Sequence, residues 1–459
     1  MRMMLLSQAA QATNGRLLGR DARFEGVSTD SRKISTGELF VALRGEHFDG
    51  YEYITQVVPL GAVASLVNAE SYKGHPPPSV FSSPLIVVPD TRLALGQLAA
   101  YWRQQFALTL VAITGSNGKT TVKEMLAGIL REAAGSEEAV LATQGNLNND
   151  IGMPLTLLKL TEAHRYAVIE MGMNHVGEID YLTGIAAPNV ALINNASGAH
   201  LEGLGSVEAV ARAKGEIFSG LQHHGTAVIN ADDAHAPIWR ALAGAHPLLE
   251  FGLDPQADVS GSWQPRDEGL QLEVRTPQGN FIASLQVPGA HNARNALAAA
   301  AAAIALSIPL EKIVVGLEKF SGVAGRLQRK NALHGAHLID DTYNANPASV
   351  RAAISVLAQV SGKHILVLGD MGELGEDAAM FHAQIGSEAR RAGIEKLYGL
   401  GILSSNAVRE FGSGAQHFEH IEELLPALEK ELDAKTTVLV KGSRFMKMER
   451  VVQFCCAVH

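Results

Sequence analysis

The chain is poor in several features, and each shortage removes a class of protein. It has only two cysteines, the adjacent Cys455 and Cys456, so no disulfide framework staples it and a reducing compartment fits. Its longest unbroken apolar run, 296–306, is 11 residues and mostly alanine, short of the ~20 that span a bilayer. That run reads as a packed helix, and membrane insertion is not expected. The N-terminal MRMMLLSQAAQA has a basic residue and small residues resembling a cleavage site, but its apolar core, MMLL, is too short for a signal segment. The expected location is therefore the cytoplasm. Positive charge is also scarce: the formal net charge is −9, with no long basic stretch to offset it, which argues against a nucleic-acid partner. No H-E-x-x-H, paired C-x-x-C or EF-hand segment occurs, so nothing signals a structural zinc or calcium site.

What is present describes a soluble globular protein. Hydrophobic residues make up 47% and charged residues 19% of 459, a length that exceeds one typical core and predicts two or three domains. The proline- and serine-rich GHPPPSVFSSPLIVVPDT reads as a boundary near residue 90, and Ser321-Gly322-Val323 as a second. Three regions result: 1–90, 91–323 and 324–459. Asp90 or Thr91 is predicted to cap a helix carrying Leu95, Leu98, Trp102 and Phe106. Strands are predicted at 108–114, 166–171 (YAVIEM), 190–197 (VALINNAS) and 226–230 (TAVIN), with helical patterns between. That alternation predicts an α/β fold with a mainly parallel, doubly wound central sheet. LQLEVRT and FIASLQV, around Pro277-Gln278-Gly279-Asn280, read as a hairpin; AHLIDD, HILVLGD, KLYGLG and TVLVKG form a second α/β series.

One stretch carries chemistry on its own. LTLVAIT (108–114) leads into Gly115-Ser116-Asn117-Gly118-Lys119-Thr120-Thr121, and Val122, Met125, Leu126, Ile129 and Leu130 then recur at helical spacing. The loop is shorter than the usual G-x-x-x-x-G-K-[ST], since Ile113 stands where the first glycine would be. Strand, glycine turn and helix N-terminus still aim backbone N–H groups at one point, where the helix dipole favours an anion. Lys119 can reach terminal phosphates, and the Thr120 hydroxyl can ligate magnesium.

Polar residues at the carboxyl ends of the other strands are the next candidates. Glu170 ends YAVIEM and is either a magnesium ligand opposite Thr120 or a solvated strand-end acid. His200, in a loop after VALINNAS, is uninformative alone. Lys214 lies within the apolar stripe Val207, Val210, Ala211, Ile217, Phe218 and Leu221. It either snorkels to water or is neutral or modified near a nucleotide, because burying an ammonium is costly. Gly289-Ala290-His291-Asn292-Ala293-Arg294-Asn295 and Asp340-Asp341-Thr342-Tyr343-Asn344-Ala345-Asn346-Pro347 are further polar clusters.

With these motifs in view, the whole chain resembles the ATP-dependent Mur ligases of peptidoglycan synthesis, which use the tight form TGSNGKTT. The resemblance implies a three-domain fold whose C-terminal domain is Rossmann-like, with ATP and Mg2+ as cofactors. STDSRKISTGELFVALRGEHFDGYEYI (28–54) looks like the uridine-nucleotide module, with Ser31, Arg32 and Asp49 at its motif positions. TQGNLNNDIGMP (143–154) resembles the substrate-pocket segment, with Asn146, Asn148 and Asn149. The likeness implies Glu170 as a magnesium ligand, and His200 with a carbamylated Lys214 at a second metal site. It implies Asn292, Asn295, Arg326, Asp341, Asn344 and Asn346 as nucleotide-binding. No D-N-P-R segment is found, and GDMGELGE (369–376) is present instead. The implied activity is a ligase acting on small molecules, joining D-alanyl-D-alanine to a UDP-linked muramoyl tripeptide through an acyl phosphate, as a monomer. A diaminopimelate- or lysine-adding ligase, a folylpolyglutamate synthetase and, from another class, a switch GTPase are the competing readings; no N-K-x-D segment supports the last.

Overall fold

The structure, a computed structural model, describes residues 3–77, 81–198, 201–266 and 269–456. Among the described residues the chain forms four sheets, the three large ones following one another along the sequence. The central sheet runs in the order Gly279–Leu285, Leu270–Thr276, Val259–Pro265, Leu248–Gly252, Thr226–Asn230, Val190–Ile193, Thr109–Thr114, Tyr166–Glu170, Val140–Ala142. All neighbours are parallel except the first two pairings, at the hairpin edge, whose turn falls at Pro277-Gln278 as predicted. This is the α/β doubly wound arrangement expected. Thr109–Thr114 has later strands on both sides, so a crevice opens beyond its carboxyl end.

The strands form because their branched residues are buried on both faces: Leu110, Val111, Ala112 and Ile113 are all fully buried. One face packs against the helix Lys119–Ala134, whose stripe Val122, Met125, Leu126, Ile129 and Leu130 is likewise inaccessible. The alanine-rich run falls within the helix Ala290–Ala305, buried on every side from Ala296 to Ala303 against the same face. Small side chains let that helix sit between the sheet and its neighbouring helix.

The first sheet, Arg16–Leu18, Leu85–Val88, Ala64–Asn68, Glu38–Val41 and Gly26–Ser28, is parallel except at Arg16–Leu18. The expected boundary stretch is thus only partly a linker, because LIVV within it is an interior strand. The apolar repeat that ends it pairs on both edges, while Pro78 lies outside the described residues. Asp90 caps the helix Thr91–Arg103 as predicted, accepting from the backbone N–H groups of Arg92 (2.7 Å) and Leu93 (3.0 Å). Leu95, Leu98 and Trp102 on that helix share one apolar cluster with Leu6, Phe24 and Leu66 of the first region and Ile169 and Ile193 of the central sheet.

The third sheet runs Gln328–Asn331, His337–Asp341, Thr436–Lys441, Lys363–Gly369, Lys396–Leu400, Ala415–Phe418, parallel except at Gln328–Asn331. It is a Rossmann-like α/β unit. Two expected elements are shorter than predicted. VALINNAS is a strand only over Val190–Ile193, because its asparagines turn to grip a neighbouring loop. The helix stripe 207–221 is α-helical over Val207–Gly215 and then tightens into the 3-10 turn Glu216–Gly220.

Candidate active site

Parallel register sets the site. Ile113 pairs with Glu170 and Thr114 with Ile193, so the glycine loop, Glu170 and Asn194 leave adjacent strands at one level. The turn is made by Gly118, with φ +78°, where a Cβ would stand 2.4 Å from Asn295 Oδ1 and 2.5 Å from Asn194 Nδ2. Only glycine fits, on both backbone and space. Asn194 Nδ2 donates to the Asn117 carbonyl and to Asn295 Oδ1, both at 2.9 Å. Asn195 accepts from the Asn117 N–H through Oδ1 (2.8 Å) and returns its Nδ2 to the Asn117 carbonyl (3.0 Å).

This corrects one expectation. The N–H groups of Ser116 and Asn117 do not face a phosphate, because they donate to the carbonyl and side chain of Asn195. The anion position is left to the first turn of Lys119–Ala134, whose N–H groups have no intrahelical partner. Sequence reading missed Asn194 and Asn195, although two amides immediately past a strand's carboxyl end were the available signal.

Thr120 is the hub. Its hydroxyl donates to Glu170 Oε2 at 2.8 Å and accepts from Arg326 at 3.0 Å. Glu170 is 3% exposed, so it is not a solvated strand-end acid. Asn148 Nδ2 donates to its other oxygen (2.9 Å), and its backbone N–H donates to Thr143 Oγ1 (2.9 Å). Lys119 folds its Nζ onto the Gly115 carbonyl at 2.6 Å. Burial lowers its pKa, Glu170 acting against the shift and Arg326 with it.

Residues of the third region close the opposite wall. Asn346 Nδ2 donates to Asn117 Oδ1 at 2.8 Å and its own Oδ1 caps the helix Pro347–Leu357. The Arg326 guanidinium stacks 4.2 Å from the Tyr343 ring centroid. Asp341 and Lys441, paired in register on adjacent strands, form a buried ion pair at 2.6 Å, and Lys441 also donates to the Asn344 carbonyl (2.9 Å). Tyr343 was read only as a member of a polar cluster, and Lys441 was not foreseen. His291, at the start of Ala290–Ala305, has its pKa pushed down to about 4 by burial, with Asp341 opposing and Lys441 and Arg294 adding to the shift. Asn292 and Asn295 stand beside it, linked at 3.3 Å. Most of these groups line one cleft of about 1740 Å3, which also takes in Asn146, Asn149 and Thr121, while Thr120 is not itself on the lining but bonds Glu170 and Arg326, which are. Asn149 spends its Oδ1 on the Gly152 N–H (2.8 Å), starting the helix Gly152–Leu157.

Other expected residues stand apart from this cleft. Ser31 and Arg32 lie in the turn after Gly26–Ser28, with the exposed Arg32 guanidinium held by Asp30 at 2.9 Å. Asp49 accepts from the Tyr51 N–H (2.9 Å) and from Ser71 Oγ (2.5 Å). None of the three is among the cleft's lining residues. His200 lies outside the described residues. Lys214 is 1% exposed, which excludes a snorkelling stem. Its pKa falls well below the usual lysine value through burial and the nearby charge of Lys119. Among the described residues no three His, Cys, Asp or Glu side chains gather as a ready-made metal site. Thr120 and Glu170 do offer hard oxygen donors of the kind magnesium takes.

Three family descriptions match the chain: Mur ligase family, catalytic domain, over residues 23–103; Mur ligase middle domain over 113–303; and Mur ligase, glutamate ligase domain, over 325–444. Over 452 residues the chain is 42% identical to the UDP-N-acetylmuramoyl-tripeptide–D-alanyl-D-alanine ligase of Escherichia coli (strain K12), covering 98% of this chain and 97% of that one. The crystal structure of MurF from Acinetobacter baumannii superposes with a TM-score of 0.91 at 38% identity, over 98% of this chain and 99% of that one. MurF ligase from Thermotoga maritima, solved in complex with ADP, superposes with a TM-score of 0.81 at 25% identity, over 94% and 96% of the two chains.

Proposed function

This chain belongs to the Mur ligase family, and from that premise we propose that it is the ATP-dependent ligase that joins D-alanyl-D-alanine to UDP-N-acetylmuramoyl-tripeptide. The geometric observation that carries this reading is the meeting of Thr120 with both Glu170 and Arg326, beside Lys119. That constellation suits phosphoryl transfer, in which positioning and charge neutralisation do most of the work. The full-length likeness to ligases of this name supports the choice of substrates.

The terminal carboxylate of the tripeptide attacks the γ-phosphorus of ATP. A carboxyl O–P bond forms as the bond to ADP breaks, giving an acyl phosphate. The amine of D-alanyl-D-alanine then attacks the acyl carbon, loses its proton and expels phosphate. Lys119 and Arg326 offset the charge on the transferring group, while the loop Gly115 to Thr121 holds the phosphates through the helix-starting end from Gly118 to Thr121. Asn292, Asn295, Asp341, Asn344 and Asn346 bind the nucleotide from both walls. Thr120 and Glu170 would hold Mg2+, which when bound supplies positive charge against the phosphate oxygens. Closure of the third region brings the reactants together and keeps water from the acyl phosphate.

In this reading residues 1–90 hold the uridine nucleotide through Ser31, Arg32 and Asp49, and Asn146, Asn148 and Asn149 receive the peptide. Residues 91–323 hold ATP, and 324–459 close over it. Lys214 in this reading carries a carbamate: its unprotonated amine adds carbon dioxide and releases a proton, leaving an anion near Lys119 that would serve, with His200, a second metal position. The active form in this reading is a monomer. Cytoplasmic precursor synthesis agrees with the two free thiols, and no helix among the described residues is long and apolar enough to cross a membrane. The test is phosphate release from ATP with the UDP-tripeptide and each candidate amine in turn. Release that requires D-alanyl-D-alanine is expected; equal release with diaminopimelate, lysine or glutamate would overturn the substrate assignment.

A further inference from the structure

One buried cation has no part in the chemistry above. Lys123 is 1% exposed and sits in the helix Lys119–Ala134, one turn beyond Lys119 and Thr120 and on their side of it. It is not among the cleft's lining residues. Its Nζ donates to the Thr143 carbonyl at 2.5 Å and meets Glu124 Oε1 at 2.6 Å.

Thr143 is itself buried and directly follows the edge strand Val140–Ala142. Its N–H continues the ladder to the Val168 carbonyl (3.1 Å), and its hydroxyl oxygen accepts from the Glu170 N–H (2.9 Å). With Lys123 on its carbonyl, all three of its polar groups are held where the chain leaves the sheet. The chain then passes Gly145, whose φ is +56°, and delivers Asn146, Asn148 and Asn149 to the cleft. Asn148 returns to Glu170 from the other side: its Nδ2 donates to Oε1 (2.9 Å), and its carbonyl accepts from the Gly172 N–H (2.8 Å). The route from Lys123 through Thr143 therefore ends on the carboxylate that takes the Thr120 hydroxyl.

Packing does not call for a charge here. An apolar side chain of similar length fills such a space, often with no loss of stability, whereas burying an ammonium is costly. What an apolar side chain does not do is hold the Thr143 carbonyl. Resting on the ligase reading above, we infer that Lys123 is a positioning residue for the reaction, setting Glu170 and the asparagine segment against the phosphate loop through Thr143. It ties the helix that carries Lys119 and Thr120 to the sheet edge that leads to the asparagines, so the nucleotide and peptide halves of the cleft keep their relative place.

The experiment compares steady-state ligation by the wild type, Lys123→Met, Thr143→Val and the double variant. Lys123→Met fills the same space without a donor, and the Glu124 carboxylate, 35% exposed, turns to water. Its kcat is expected to fall by about tenfold to a hundredfold, the cost of a misplacement of about 1 Å. KM for ATP is expected to stay within about twofold, because Lys119, Asn292 and Asn295 keep their contacts. Thr143→Val removes the acceptor of the Glu170 N–H and is expected to lose a similar factor. The double variant should then lose no more than about twofold beyond the worse single variant, since both act through one chain of contacts. Lys123→Gln keeps an N–H donor without the charge; it is expected to recover part of kcat, and it carries the same comparison should Lys123→Met not fold. A readout without turnover is manganese(II) binding in the presence of ADP, followed by electron paramagnetic resonance. It is expected to weaken by about tenfold in the variant, as when a group orienting a metal ligand is lost. Wild-type kcat or unchanged manganese affinity in a folded Lys123 variant would overturn the inference. So would losses that multiply in the double variant, as a merely structural role predicts. A wild type that does not ligate D-alanyl-D-alanine to the UDP-tripeptide would instead refute the ligase reading, while the manganese comparison still tests Lys123.

Discussion

The two walls of the cleft are built differently. On the wall from the central sheet, side chains from three separate segments tie the glycine loop in place: Asn194 and Asn195 grip Asn117, Asn295 stands against Gly118, and Glu170 takes the Thr120 hydroxyl. Its polar groups are largely satisfied within the wall. The wall from the third region is internally braced by the buried Asp341–Lys441 pair. It meets the first wall through Asn346 on Asn117 and Arg326 on Thr120. Arg326 Nε is buried without a partner. One wall is therefore preorganised, and the other reaches it through a small set of exchangeable polar contacts. That division suits a site whose phosphate half must be fixed and whose second half must open for substrates.

The sharpest way to break this contrast is Lys119→Ala. It removes charge from the fixed wall without touching its packing, since Lys119 bonds only a loop carbonyl. Turnover should fall by at least about a thousandfold, with the thermal unfolding midpoint nearly unchanged; near-normal phosphate release would remove the loop's assigned role. Lys441→Met tests the bracing of the other wall. It leaves Asp341 buried without its cation, and unfolding of the third region should lose about 3–5 kcal/mol in denaturant titration. Unchanged stability would mean the pair does not brace that wall.

Lys214→Ala tests the buried lysine that lies off the cleft but near Lys119. If a carbamate stands there, activity should drop by about a hundredfold, and short carboxylic acids should restore part of it by filling the anion position. A carbon-13 carbamate signal in bicarbonate buffer should be present in the wild type and absent in the variant. Full activity in the alanine variant would exclude the role.

The smallest effect concerns His291, where the walls meet. Its folded pKa of about 4 lies below the ordinary value near 6.5. The unfolded chain therefore binds the proton more readily. The stabilisation is present above pH 6.5 and is lost as pH falls through 4. With its partial exposure discounted, this amounts to about 1–2 kcal/mol. His291→Gln should flatten that part of the stability profile; an identical acid profile would contradict it.

How much of this the sequence disclosed follows from how local each feature is. The phosphate loop was legible because strand, glycine turn and helix are contiguous and each has its own residue pattern. Lys214 was legible as an anomaly, a charge on an apolar stripe, although its surroundings were needed to exclude snorkelling. Asp341–Lys441 depends on the order in which distant strands pair, which no local periodicity encodes. Asn194 and Asn195 were absorbed into a strand because the apolar run before them gave no sign of where it ends. The first-region residues Ser31, Arg32 and Asp49 came from a motif resemblance alone, and in the structure they stand away from the cleft, with Arg32 paired to Asp30 and Asp49 accepting from Ser71.

On the proposed mechanism this cleft transfers the γ-phosphoryl group of ATP to the tripeptide's carboxylate before the amine attacks. Oxygen-18 placed in that carboxylate follows the bond-making directly. During ligation of D-alanyl-D-alanine, mass analysis of the released phosphate should find one carboxylate oxygen carried into each phosphate. Phosphate released without any label, while the peptide bond still forms, would contradict the acyl phosphate and the role assigned to Thr120, Glu170 and Lys119.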